Sequence, residues 1–379
     1  MIDQNSELLK LVELSRYFGG QKDYVIAGGG NSSFKNKHKL WIKASGESLA
    51  RIDVEGLVCL SRALLDKMSG KPYPQDHHER ESQIAQDLRN AVLYPKDRRP
   101  SVEALLHHLI DFSYVLHTHP TYINGLLCSS EGARIIHRLY GDEVLYIPYT
   151  NPGYELAQQM VGALGSYSDR MGYRPNIILL QNHGVFVGAN SPEAIRSFYT
   201  MIRDAFLQYF PVTLPDDLPR SIQTHNSRSL EAFFNTLGYH TGSYTSKLIG
   251  EYSRSAFQYQ KISKPLTPDQ IVYCGAAYPF ISDAEDVEDF KDALIEFKDH
   301  HGYFPRVMVL EGEGIMIASD MESALQTILN VFIEALRVVG IAEGLGGLNA
   351  MTDDQVRFID RWESEHYRRN VARNEGPAQ

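Results

Sequence analysis

Apolar residues recur at helical spacing in several segments of the chain. Residues 8–18 carry them at i, i+3 and i+4, which predicts an amphipathic helix. Residues 102–110 show the same spacing after Ser101, and a longer apolar face follows Ser191 and Pro192. Serine is a preferred helix cap and proline a preferred first helical residue, so both segments are predicted to be helices.

Apolar runs bounded by glycine or proline predict the strands. One strand is expected before the Gly28–Gly30 turn, a second at Lys39–Ala44, and a third at 113–120, where Pro120 stops it. Residues 176–190 predict a buried pair of strands with a turn near Gly184. The polar, proline-bearing segment 69–82 is predicted to be a loop, with a helix from about residue 80.

Two segments resemble each other and predict an internal repeat. Residues 175–194 and 305–324 align without gaps, and both are followed by a helix with matching apolar positions. Chance likeness between apolar strands is the alternative. The main difference is that Glu313 stands where the first copy has His183.

Length and composition predict a two-domain globular protein. The 379 residues suit two domains, and three prolines in 210–221 mark a candidate linker. We therefore predict a first domain over residues 1–225 and a smaller α/β domain over residues 226–379. Because Glu313 replaces the histidine, the second is predicted to be a non-catalytic partial repeat that holds no metal. The formal net charge of −10 argues against nucleic acid as the partner.

Cysteine usage and hydropathy point to the cytoplasm. Three widely separated cysteines exclude a disulfide framework and a cysteine-only metal site. The N-terminal helix carries charges and lacks the apolar core of a signal peptide. No stretch is expected to reach the roughly 18 apolar residues of a membrane span. We therefore expect a cytoplasmic protein without a membrane partner.

Histidines supply the strongest chemical signal. His117 and His119 stand at i and i+2 of a predicted strand, so both side chains point to one face. Such a pair suits half of a metal site, and the alternative is two polar residues at a strand end. His183, in the turn between two buried strands, is a candidate third ligand. The alternative is a hydrogen-bonded core histidine at 183. His107 is a weaker candidate, since it stands four residues after Glu103 and could pair with it.

Two further features are candidate site components. Glu103 lies at the start of a short helix that leads into the histidine strand, and it could be a ligand, a general base or a helix-end residue. The glycine turn at 28–30 with the following Asn-Ser-Ser is rich in N–H groups and hydroxyls and suits an anion. It lacks the third glycine and the helix of a dinucleotide fingerprint, which excludes NAD.

Taken together, these motifs resemble the class II aldolase/adducin family. The resemblance covers about residues 5–210, and the closer likeness is to the aldolase portion of predicted rhamnose-utilisation bifunctional aldolase/dehydrogenases. The motifs that carry it, in order, are GGGNSS (28–33), KASG (43–46), SVE (101–103), HTH (117–119) and QNHG (181–184). The closer likeness rests on PSVEALLHHLI and FIDRWESEHYRR.

The resemblance implies both a fold and a site. The fold is a three-layer αβα unit around a mainly antiparallel sheet, in a homo-oligomer whose active sites lie between subunits. His117, His119 and His183 match the family's ligands for one divalent metal, most often Zn²⁺, and Glu103 matches its acid/base. Positions that hold the substrate phosphate are matched by Gly30, Asn31, Ser45, Gly46 and Ser101. The family's catalytic tyrosine is not assigned, and Tyr140, Tyr146, Tyr149 and Tyr154 are all near enough to be candidates.

The function that the resemblance implies is cleavage of a ketose 1-phosphate, such as rhamnulose or fuculose phosphate. The bond beside the carbonyl would break through a metal-stabilised enediolate. A pentulose-phosphate 4-epimerase or a decarboxylase of the same family is an alternative. The Glu at position 103 favours the aldolase, because the epimerase branch of the family is expected to have an Asp there. A third alternative is an adducin-like binding protein without catalysis, against which the retained histidines argue.

Overall fold

The computed structural model describes residues 4–214, 217–282 and 287–362. By its contacts the chain divides into two compact units. The first runs to Leu127 and continues over Gly132–Pro211, and the second comprises Cys128–Glu131 and the residues from Val212 onward. The predicted domain boundary after residue 225 stays a prediction.

The first unit is a sheet of eight strands with helices. Its strands are β1 (Asn31–Lys35), β2 (Lys39–Lys43), β3 (Leu57–Ser61), β4 (Val92–Tyr94), β5 (Tyr114–Thr118), β6 (Val144–Ile147), β7 (Ile177–Leu180) and β8 (Gly184–Ala189). Its helices are α1 (Gln4–Gly19), α2 (Arg62–Ser69), α3 (His77–Ala91), α4 (Ala104–Leu109), α5 (Thr121–Leu127), α6 (Gly132–Tyr140), α7 (Tyr154–Met171) and α8 (Pro192–Tyr209). The strand order is β4-β3-β2-β1-β5-β8-β7-β6. Only β6 and β7 pair in parallel, so the predicted mainly antiparallel sheet is confirmed.

Two neighbouring serines of β1 show that helices cover both faces of this sheet. Ser32 contacts Ser15 of α1, hydroxyl to hydroxyl at 2.7 Å. Ser33 contacts the ring of His107 on α4, also at 2.7 Å. Because successive strand residues point to opposite faces, α1 and α4 lie on opposite sides of β1. The three-layer arrangement follows from these contacts.

Three local predictions are wrong. The strand expected before the glycine turn is absent, since residues 23–30 form turns and β1 begins after them. The loop expected to extend to residue 82 ends earlier, because Asp76 accepts from the N–H of Glu79 and α3 begins at His77. Helix α4 begins at Ala104, with Glu103 and not Ser101 as its N-cap.

The second unit is a smaller α/β unit. Its strands are β9 (Arg220–Ser221), β10 (His240–Thr245), β11 (Phe280–Ile281), β12 (Val307–Leu310) and β13 (Gly314–Ser319). Its helices are α9 (His225–Thr236), α10 (Lys247–Ser253), α11 (Ala256–Tyr259), α12 (Pro268–Cys274), α13 (Val287–His301), α14 (Glu322–Gly344) and α15 (Asp353–Arg361). The strand order is β11-β12-β13-β10-β9. As in the first unit, one pair is parallel, here β11 with β12, and the others are antiparallel.

The two segments that resemble each other in sequence have the same register. In the first, Ile177 pairs with Val187 and Leu180 with Gly184. In the second, Val307 pairs with Ile317 and Leu310 with Gly314. Each hairpin also has an antiparallel neighbour on one side, a parallel strand on the other, and a helix directly after it. The strand-turn-strand-helix pattern predicted from the sequence is therefore present in both units.

One helix departs from the expectation about apolar length. Among the described residues, α14 is long and apolar enough to cross a membrane by length and composition. It is also 56% buried within the structure over its most apolar window, as the core helix of a globular unit would be. It packs against α12 and β13.

Candidate functional site

Strand register sets His117 beside an asparagine, and His119 lies close to His117. His117 is paired with Asn31 on β1 and with Phe186 on β8, and it is buried. His119 follows two residues later, just past the end of β5, with its ring centroid 4.8 Å from that of His117. The same-face expectation from the strand period is thus met, and the pair lies on the α4 side of the sheet.

The turn between β7 and β8 brings in the third histidine. Asn182 has a φ of 54°, in the left-handed region where asparagine is tolerated better than most residues. This turn places His183 with its ring centroid 5.1 Å from that of His117. Gly184 follows at once, and a Cβ there would lie 2.6 Å from Cδ2 of His119 and 2.6 Å from the carbonyl oxygen of Thr118. Only glycine therefore leaves room for His119 at this point.

The nitrogen atoms of the three histidines converge with one carboxylate. One potential ligand nitrogen from each histidine lies within 4.8 Å of the other two. Nε2 of His117 and Nε2 of His119 are 3.0 Å apart. Oε1 of Glu103 lies 3.5 Å from Nε2 of His117 and 3.4 Å from Nε2 of His183. The geometry therefore joins the three candidate metal ligands with the candidate acid/base.

These donors fit a divalent metal. Oε1 of Glu103 is buried and makes no hydrogen bond with the part of the chain that the structure describes. A buried carboxylate oxygen without such a partner is costly unless a cation or a proton compensates it. Three imidazoles with one further position are a common zinc donor set, and a carboxylate is an acceptable fourth ligand.

A backbone contact orients His117 toward this centre. Its Nδ1 lies 3.0 Å from the carbonyl oxygen of Val185, an atom that can only accept, so Nδ1 carries the proton. The lone pair is then on Nε2, which faces the other ligands. Such a carbonyl contact is the usual way in which a metal-binding imidazole is held in one tautomer.

A set of buried polar contacts supports the other oxygen of Glu103. The side-chain amide of Asn31 donates to Oε2 of Glu103 and to the hydroxyl of Ser101, the latter at 3.1 Å. The carbonyl oxygen of this amide contacts Nε2 of His107, whose Nδ1 contacts the hydroxyl of Ser33. Burial, with smaller contributions from Lys35 and His117, lowers the pKa of His107 well below its usual value, so its ring is neutral.

His107 and Ser33 are the site components that sequence reasoning missed. The expected pairing of the His107 side chain with Glu103 is wrong, since both ring nitrogens contact β1 instead. One signal in the sequence could have indicated them. Asn31 and Ser33 stand two apart on a strand, and Glu103 and His107 stand four apart on a helix, so each pair shares one face of its element. The docking of α4 on β1, which joins these two pairs, has no local sequence signature.

Three of the candidate phosphate-binding residues, Asn31, Ser45 and Ser101, lie on adjacent segments of the chain. Ser45 N–H donates to the carbonyl oxygen of Arg99 at 2.8 Å, and Ser101 N–H donates to that of Lys43 at 3.2 Å. Ser45 and Ser101 are therefore carried by adjacent segments, and Ser101 contacts Asn31. Gly46 has a φ of 92° in the turn that follows.

Gly30 is required by the backbone where the chain enters β1. It has a φ of 67°, and a Cβ there would lie 2.8 Å from the carbonyl oxygen of His117. The role of this residue and of Asn31, Ser45, Gly46 and Ser101 in holding phosphate stays a prediction. In contrast, the hydroxyls of Ser32 and Ser33 are turned to buried partners, and both residues belong to a strand.

Two further histidines and the candidate tyrosines have other surroundings. His77 lies at the first turn of α3, and His108 contacts Asp66 at 2.9 Å. Among the four tyrosines considered, the hydroxyl of Tyr140 donates to the carbonyl oxygen of Ile202, and that of Tyr149 donates to Asn151. The structure therefore assigns no catalytic tyrosine.

Comparison with known families identifies the first unit. The family model described as Class II Aldolase and Adducin N-terminal domain matches residues 9–209. The chain belongs to this family. The match includes every candidate ligand and site residue described above, and it supports the family resemblance stated from the motifs.

Individual relatives of this class II aldolase family member are distant. A curated relative, the uncharacterized oxidoreductase YuxG of Bacillus subtilis (strain 168), is 26% identical over 206 residues, which cover 52% of this chain and 28% of that protein. The N-terminal class II aldolase domain of a conserved Thermoplasma acidophilum protein has a TM-score of 0.46 and 21% identity, covering 55% of this chain and 96% of that one. The L-fuculose-1-phosphate aldolase of Thermus thermophilus has a TM-score of 0.36 and 18% identity, covering 55% and 96%.

Proposed function

We propose that this chain is a metal-dependent aldolase that cleaves a ketose 1-phosphate of the rhamnulose or fuculose phosphate type. One observation carries the proposal. Three histidine side chains converge with the buried Oε1 of Glu103, which lies 3.4 Å from Nε2 of His183 and has no hydrogen-bond partner among the described residues. His117, His119 and His183 would hold one divalent metal, which we propose to be Zn²⁺.

A bound divalent metal supplies Lewis-acid stabilisation of the negative charge that develops on the substrate oxygens when the C–C bond breaks. Glu103 supplies the proton transfer. Its Oε2 is held by the amide of Asn31, so Oε1, which faces the histidines, is the oxygen that takes up and delivers the proton. Glu103 takes this proton from the substrate hydroxyl whose carbon becomes the aldehyde, and its delivery to the carbon released by cleavage completes the formation of a triose phosphate and an aldehyde.

The substrate phosphate is proposed to bind beside this centre. The donors would be backbone and side-chain groups on three segments of the chain, namely Gly30 and Asn31, Ser45 and Gly46, and Ser101. The contact between Asn31 and Ser101, at 3.1 Å, supports this assignment because it joins two of the five residues next to Glu103. We further propose a cytoplasmic homo-oligomer, with residues 226–379 as a domain that takes no part in the chemistry.

The test is metal analysis followed by a substrate screen. Protein reconstituted with zinc is dialysed, its metal is measured, and ketose 1-phosphates are incubated with it while aldehyde and triose phosphate are quantified. We expect one zinc per chain and release of both products in equal amounts. Epimerised pentulose phosphate or CO₂, without aldehyde, would assign the alternative activities of the family. Absence of metal and of any turnover would support the non-catalytic alternative.

A further inference from the structure

A continuous series of buried hydrogen bonds connects β1 with the candidate acid/base. It runs from the hydroxyl of Ser33 to Nδ1 of His107, from Nε2 of His107 to the amide of Asn31, and from that amide to Oε2 of Glu103. All four residues are buried. The series reaches Oε2, and the other oxygen of the same carboxylate faces the three histidines.

For a carboxylate at Glu103 and a neutral ring at His107, one placement of protons satisfies every contact in the series. Asn31 faces a carboxylate on one side, so its NH₂ group must point there and its oxygen must face His107. His107 therefore donates through Nε2–H and accepts at Nδ1 from the hydroxyl of Ser33. If the amide were reversed, its oxygen would face the carboxylate oxygen Oε2, and two acceptors would repel each other.

Sequence spacing explains why these four residues meet. Asn31 and Ser33 stand two apart on a strand and share its face, while Glu103 and His107 stand four apart at the start of α4 and share a helix face. Docking of α4 on β1 closes the four side chains into a ring of contacts. Strand β1 contributes Asn31, which contacts Glu103, and Ser33, which contacts His107. Helix α4 contributes His107, and Glu103 at its N-cap faces the three histidines.

We propose that His107 and Ser33 are positioning residues that fix the amide of Asn31 and thereby hold Glu103 with Oε1 directed at the ligand histidines. The proposal rests on the proposed function for the role of Glu103. His107 itself does not reach the three ligand nitrogens, because both of its ring nitrogens are engaged with β1. Its effect on turnover passes through Asn31.

The first test is a matched pair of serine variants. Ser33→Ala removes the hydroxyl that donates to Nδ1 of His107 and helps to fix its ring, whereas Ser32→Ala removes an equally buried hydroxyl of the same strand that contacts Ser15 on the other face. We expect Ser33→Ala to lower kcat and Ser32→Ala to leave it unchanged, with one zinc per chain in both. Equal kcat values for the two variants would overturn the proposal.

The second test is a double-mutant cycle. His107→Leu should lower kcat/KM, by less than the roughly 10- to 100-fold that loss of a direct partner of a metal ligand costs, because His107 acts through Asn31. His107→Gln, which keeps a donor toward Asn31, should recover part of this loss. In an Asn31→Ala background, His107→Leu should have no further effect. A full additional loss in that background would show that His107 acts independently of Asn31.

A third readout does not depend on activity. In metal-free protein labelled with ¹⁵N at histidine, the ring of His107 is assigned by its loss in His107→Gln. We expect the Nε2–H tautomer in the wild-type protein and in both serine variants, because the oxygen of Asn31 accepts from this N–H in all three. A wild-type ring protonated at Nδ1 would overturn the hydrogen-bond series. If the substrate screen fails while this tautomer is observed, the proposed function fails and the series itself stands.

Discussion

Replacing Gly184 by alanine tests whether β8 is shaped around the candidate metal centre. The added Cβ would lie 2.6 Å from Cδ2 of His119, 2.6 Å from the carbonyl oxygen of Thr118 and 3.1 Å from Cε1 of His117. An ordinary contact begins near 3.4 Å, so His119 or the backbone must move by about 0.8 Å. Metal sites tolerate deviations of only about 0.2 Å in their ligand distances, so this movement is large for the site.

Two separate effects are expected from this substitution. Overpacking in a close-packed interior lowers the free energy of unfolding by about 1–3 kcal/mol. Displacement of His119 should also lower zinc affinity by about 10- to 100-fold, as disturbance of the residues around a metal site usually does. Urea unfolding of the metal-free protein measures the first effect, and competition with a chromophoric zinc chelator measures the second.

Gly188→Ala is the matched control on the same strand. Its Cβ would lie 2.7 Å from the ring of Phe112 and 2.8 Å from Cγ2 of Ile110, and none of its three nearest atoms belongs to a histidine. We expect a comparable loss of stability with unchanged zinc affinity. The reasoning would be refuted if Gly184→Ala bound zinc as tightly as the wild-type protein, or if both variants lost zinc affinity equally.

Three further predictions address the site and the assembly. Glu103→Gln should keep one zinc per chain while kcat falls by about 10²–10⁴-fold, measured by product release, because a positioned acid/base is lost. His117→Ala should lower the zinc content to near zero by elemental analysis, since the described residues contain one cluster of potential ligands; retained zinc would contradict it. Light scattering should show a homo-oligomer, and a monomer at working concentration would exclude a site shared between subunits.

The candidate site was predictable where a local period sets side-chain direction. The strand period places His117 and His119 on one face. The turn between two buried strands places His183 at the end of those strands. The roles of His107 and Ser33 were not predictable in this way. Glu103 and His107 stand at helical spacing, and pairing between them was the local expectation. Tertiary docking of α4 on β1 offered His107 other partners.

The course of the chain around β1 shows why apolar pattern alone gave a wrong strand. Tyr24 and Val25 are buried although they lie outside the strands. The carbonyl oxygen of Tyr24 accepts from the N–H of His119, just past the end of β5. The strand instead begins at Asn31 and contains mostly polar residues. Ser32 and Ser33 are tolerated there since each hydroxyl has a buried partner, which a hydropathy pattern does not record.

The two hairpins distinguish what the backbone requires from what the chemistry requires. A Cβ at Gly184 would lie 2.6 Å from the carbonyl oxygen of Thr118, and a Cβ at Gly314 would lie 2.3 Å from that of Tyr244, so both hairpins need glycine where the neighbouring strand approaches. The residue before each glycine differs.

His183 faces Glu103 in the first unit, at 3.4 Å between Nε2 and Oε1. Glu313, at the corresponding position of the second, accepts from Thr224, the N-cap of α9, and from Asn226. In both units this position therefore contacts the cap of the helix that precedes the neighbouring strand. The contact between hairpin and helix cap is common to both units, whereas a histidine facing the carboxylate at that contact occurs in the first unit, where the candidate metal ligands lie.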